Sequence, residues 1–123
     1  MLLAYYGDAV MELLTREKIL RSGVGGLAAA NRMSRSYITL EAQSDAYARI
    51  EDALSEEEKA VFRRGRNHSS RVPGHGSAAQ YHRATGLEAL FGSLWLKGGE
   101  ERARELFEAA YPADEGGAAD GKT

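Results

Sequence analysis

Ala84-Thr85-Gly86-Leu87-Glu88-Ala89-Leu90-Phe91-Gly92-Ser93-Leu94-Trp95-Leu96 contains one charged side chain, Glu88. The run is too long for an ordinary strand and apolar nearly all round, so it reads as a helix buried inside a helical domain. Leu2-Leu3-Ala4-Tyr5-Tyr6-Gly7-Asp8-Ala9-Val10 repeats the peculiarity, with Asp8 its lone charge. A buried carboxylate is costly unless a cation or hydrogen bonds compensate it. Ala4 and Gly7 in one stretch, and Thr85, Ala89 and Gly92 in the other, are small enough to let two helices approach closely. If they do, Asp8 and Glu88 converge on one divalent cation. Mg²⁺ is typically held by one or two carboxylates, with water and phosphate oxygens completing its shell. The local alternative is that Asp8 caps or hydrogen-bonds nearby and Glu88 pairs with an arginine.

Working outward, helical periodicity continues and alternating strand pattern is almost absent. The first helix spans about Leu2 to Arg21, with Leu3, Tyr6, Val10, Leu13 and Leu14 on its apolar face, and Gly23, Gly25 and Gly26 end it. Short polar Leu27 to Ser36 follows, then Leu40 to Leu54 with Ala42, Ala46, Ile50 and Leu54 four apart. Ser55-Glu56-Glu57-Glu58 is a capping box that opens a helix through Val61 and Phe62, running out at Gly65. Arg66 to Ser77 has loop chemistry; the Glu88 helix follows, and Gly98 and Gly99 stop it. Glu100 to Tyr111 is a last amphipathic helix. The expected architecture is all-α, about six helices in one domain over residues 1–111, with 112–123 a frayed tail.

The net charge of -2 conceals an asymmetry. Lys59 to Leu87 contains no Asp or Glu but holds Lys59, Arg63, Arg64, Arg66, Arg71 and Arg83, with all three histidines. Ten basic residues then face 18 acids elsewhere, so a polyanion is expected at one face. Few aromatics interleave with these arginines, which fits backbone contacts to a duplex better than base stacking on a single strand. The bland alternative is a solvated surface. No apolar run is long enough to span a bilayer and no signal peptide pattern precedes the first helix, so a cytoplasmic location is expected. The absence of cysteine excludes disulfides and thiolate metal sites. His68, His75 and His82 lack the further ligands of a zinc site, and no Glu-x-x-His pair suits a di-iron centre.

Leu3 to Val10 resembles the signature helix of ribonuclease III catalytic domains, and Glu88 to Leu96 resembles their second catalytic helix. Phe62-Arg63-Arg64-Gly65-Arg66-Asn67 followed by Val72-Pro73 resembles the loop signature of the Mini-III subgroup, the short form without a double-stranded-RNA-binding domain. The resemblance implies an all-helical homodimer that cuts double-stranded RNA with Mg²⁺ (or Mn²⁺), associated in bacteria with trimming precursor 23S ribosomal RNA. It makes Asp8 and Glu88 the catalytic metal-site carboxylates, and Arg63, Arg64, Arg66, Asn67 and Arg71 the RNA-gripping segment. Ala4 and Thr85 stand where the full-length enzymes carry two further carboxylates, so a four-carboxylate cage is not expected. Two rivals remain: a non-catalytic duplex-RNA binder on the same fold, and a helical dimer with no nucleic-acid role.

Overall fold

A computed structural model describes residues 2–68 and 77–112, and every regular element in it is helical. The order is α1 (Leu2–Arg21), α2 (Leu27–Ile38), α3 (Leu40–Ile50), a 3₁₀ turn (Glu51–Ala53), α4 (Glu56–His68), α5 (Ala78–Leu96) and α6 (Glu100–Ala110). The tail expected over 112–123 lies, apart from Pro112, outside the described residues.

α5 is the hub, packed against α1, α3, α4 and α6. Leu87, Leu90, Phe91 and Leu94 on one side of it enter a continuous core with Ile50, Phe62, Leu106 and Phe107. Tyr47 stacks on Phe62 with ring centroids 3.8 Å apart, tying α3 to α4.

The termini follow local chemistry. Gly23, at φ 80°, supplies the left-handed residue that turns the chain out of α1. The Ser55 box forms as read, with the Ser55 N–H donating to Glu58 Oε1 (2.8 Å) and the Glu58 N–H to Ser55 Oγ (3.1 Å). Arg102 grips the same Glu58 through two nitrogens at 2.9 Å and holds its carboxyl down at about 2. Lys18 Nζ donates to the Tyr111 carbonyl (2.6 Å) and Arg49 Nη1 to that of Ala110 (2.8 Å), satisfying the end of α6.

Three boundaries differ from the sequence reading, the first being that α2 runs past Ser36 to Ile38. Leu40–Ile50 is α-helical and then tightens to 3₁₀, so the third helix stops short of Leu54. α4 runs through Gly65 to His68, because Gly65 is a packing residue: a Cβ there would lie 2.6 Å from that of Ala89. α5 begins at Ala78, directly after the Arg66–Ser77 stretch as expected, under a second capping box that the reading did not include: Ser77 Oγ accepts from the Gln80 N–H and Gln80 Oε1 from the Ser77 N–H.

Candidate active site

The two lone carboxylates meet where α1 crosses α5. A Cβ on Gly7 would collide with the Glu88 carbonyl, and one on Gly92 with that of Leu3. Only glycine at both positions lets the two backbones touch. Beside this contact, the Asp8 and Glu88 carboxyls come within hydrogen-bonding reach of each other. Glu88 is half-buried on α5, and Asp8 is exposed at the edge of α1.

Asp8 is therefore not the buried acid the apolar run suggested. α1 buries Ala4, Gly7, Val10, Met11, Leu14, Thr15 and Ile19 and leaves the opposite face in solvent, including Tyr6 and Leu13, which the sequence placed inside. Where every side of a helix is apolar, periodicity carries no phase.

Burial, reinforced by the charge and hydrogen bond of Asp8, pushes the Glu88 carboxyl up to about 8. Two carboxylates this close cannot both ionise cheaply, and a divalent cation between them removes that penalty. The donor set suits a hard cation with open coordination places. Among the described residues no third His, Cys, Asp or Glu joins them in a group that could hold a metal ion. Glu12, one turn beyond Asp8, is engaged by Arg16 at 2.8 Å.

The basic segment divides. Arg63 and Arg64 are exposed on the last turns of α4. The Arg66 guanidinium lies over the Phe62 ring, 5.9 Å from its centroid, and its Nε donates to Asn67 Oδ1 at 3.1 Å. These four residues are helical rather than part of a loop, and Arg71 lies outside the described residues. Arg83 donates to the buried Ser44 hydroxyl (3.0 Å) and has a structural task.

Ion pairing sharpens the charge map. Every ion pair among the described residues uses Arg16, Lys18, Lys59, Lys97, Arg102 or Arg104. Arg63 and Arg64 are in none, nor are Arg21, Arg32 and Arg35 around α2, which the sequence reading passed over. Their signal was present: residues 18–40 form a second stretch without Asp or Glu. A shallow groove between α2 and α3, lined by Arg35, Thr39, Asp45 and Arg49 among others, includes neither Asp8 nor Glu88.

Residues 2–99 match the family model described as the Ribonuclease III domain. The chain belongs to the ribonuclease III family. It is similar to the Mini-ribonuclease 3 of Thermoanaerobacter sp. (strain X514), 40% identical over 109 residues that cover 88% of this chain and 77% of that one. Its likeness to the Mini-ribonuclease 3 of Symbiobacterium thermophilum is 39% over 113 residues, 88% of this chain and 84% of the other. A crystal structure of a Fusobacterium nucleatum protein superposes with a TM-score of 0.78 at 30% identity, covering 86% of this chain and 85% of that one. The protein is thus an endoribonuclease of the ribonuclease III type. Among the described residues, no helix is long and apolar enough to cross a membrane.

Proposed function

We propose that this ribonuclease III family member is a cytoplasmic, Mg²⁺-dependent homodimer that cuts double-stranded RNA, with the ends of precursor 23S ribosomal RNA as its natural substrate. Asp8 and Glu88 hold the cation and are the catalytic carboxylates. Arg63, Arg64, Arg66, Asn67 and Arg71 grip the duplex backbone. The observation that carries the reading is the meeting of Asp8 and Glu88 across the Gly7–Gly92 crossing, at a surface open to a long substrate. A protein that only bound RNA would gain nothing from holding Glu88 where burial, and then Asp8 beside it, raise its pKa to about 8.

A bound Mg²⁺ (or Mn²⁺) supplies Lewis acidity at the scissile phosphate and lowers the pKa of the attacking water. The chain's own contribution is to hold Asp8 and Glu88 on two helices whose backbones touch, which fixes the spacing of the positions that carry the two carboxylates. Guanidinium groups such as those of Arg63 and Arg64, in no ion pair among the described residues, neutralise phosphates of the duplex. Leu2, Tyr5, Tyr6, Ala9 and Leu13 form an exposed stripe along α1, with Leu2 and Tyr5 82% and 79% exposed. Such a stripe is what a two-fold partner covers, placing α1 and a second Asp8–Glu88 pair near the axis.

The test is long duplex RNA incubated with the protein in Mg²⁺, in Mn²⁺ or in chelator. Cleavage in either metal, none in chelator, and losses of several orders of magnitude in Asp8→Asn and Glu88→Gln with duplex binding kept within a few-fold are expected. Substantial activity in both amide variants would remove the site assignment.

A further inference from the structure

Two carboxylates fill two places around a cation, and water or substrate oxygens fill the rest. Metal-bound water is a hydrogen-bond donor. What such a site needs next is an acceptor beside the pair. One turn before Glu88 on α5, at i−3 and i−4, stand Thr85 and Ala84, and residues so spaced have Cβ atoms about 5–6 Å apart. Ala84 offers no polar atom.

Thr85 is half-buried, and its hydroxyl donates to the Tyr81 carbonyl at 3.0 Å. That bond uses the only proton the hydroxyl has and leaves its lone pairs open. A hydroxyl held this way can only accept. It has nothing to offer a neighbouring carboxylate or a phosphate oxygen, which are acceptors too, but it matches a water whose protons point away from a metal.

We propose that Thr85 is a positioning residue whose Oγ1 accepts a hydrogen bond from a water bound to the cation held by Asp8 and Glu88. The inference rests on the reading of that pair as a metal site. Thr85 itself stays off the metal. Its effect would be to orient one water and so strengthen the hold of Asp8 and Glu88 on the cation.

Calorimetric titration with Mg²⁺ alone, without RNA, tests this in wild type, Thr85→Val, Thr85→Ser and Asp8→Asn. Valine keeps the branched shape and removes the acceptor, whereas serine keeps the hydroxyl. The expected result is affinity about five- to tenfold weaker in Thr85→Val, near wild type in Thr85→Ser, and abolished in Asp8→Asn. Wild-type affinity in Thr85→Val would overturn the proposal. So would equal weakening in the valine and serine variants, which would report altered packing instead of a lost acceptor. Unchanged binding in Asp8→Asn would remove the metal site itself, and this role with it. Circular dichroism and melting curves run alongside, and Thr85→Ala replaces the valine variant if valine disturbs the fold.

Discussion

Replacing Glu88 with glutamine is expected to stabilise the protein in chelator, and to do so more as the pH rises. Burial and the neighbouring Asp8 hold the Glu88 carboxyl at about 8, against 4.5 for the free group. Between those values the folded chain keeps a proton that the unfolded chain has released. The stability contributed by this proton is fully present below about pH 4.5 and is lost as the pH climbs through about 8. At about 1.4 kcal/mol per unit of pKa, the loss reaches about 2 kcal/mol near pH 6 and about 4 kcal/mol near pH 8. Both figures are ceilings, since water on the Asp8 side screens the pair. Against a total of about 5–15 kcal/mol for a domain, the effect is readily measured. Glutamine mimics the protonated acid in shape and cannot ionise, so its profile lacks this slope. Urea denaturation in chelator from about pH 5 to about pH 9 gives the comparison. Adding Mg²⁺ at the alkaline end is expected to restore the wild type and leave Glu88→Gln unmoved, because only the folded carboxylate pair binds the ion. Parallel stability profiles for the two proteins would refute the argument.

Gly7→Ala places a methyl against the Glu88 carbonyl; the penalty is expected at or above the upper end of the usual 1–3 kcal/mol range (roughly) for overpacking, read by thermal melting. Arg63→Ala with Arg64→Ala is expected to weaken binding to every duplex sequence alike and to flatten log affinity against log salt by about 0.9 per lost phosphate contact; an unchanged slope would mean these arginines are only solvated. Tyr5→Glu is expected to shift sedimentation to monomer at micromolar concentration while circular dichroism holds, and a stable, fully active wild-type monomer would contradict the assembly.

What could be read from the sequence depended on whether local chemistry decided the outcome. Asp8 and Glu88 stood out because each is alone in an apolar run, and Ser55 with Glu58 announced a helix start through a motif whose partners are three residues apart. Gly65 misled for the opposite reason. Read locally, glycine after Arg63-Arg64 ends a helix, but the fold keeps it helical because the α5 backbone passes against it at Gly86. The phase of α1 was equally beyond local reading, since Leu2, Tyr5 and Tyr6 are as apolar as the residues that face inward. The Ser77–Gln80 box had a legible pattern, hidden by the serine- and glycine-rich stretch before it.

α5 has no idle side between Gly86 and Gly92. Gly86 meets Phe62, Glu88 faces Asp8, Leu90 and Phe91 fill the core, and Gly92 admits the α1 backbone. One residue inserted there would turn everything beyond it by about 100° and advance it by about 1.5 Å. Glu88 and Gly92 could not then both keep their partners, and a core side chain would be swung onto the α1 backbone. Changes of length in relatives of this chain are accordingly expected at the joints, such as Gly23–Gly26 or Gly98–Gly99, where added residues disturb no helix phase. α5 can vary by substitution, but not by insertion.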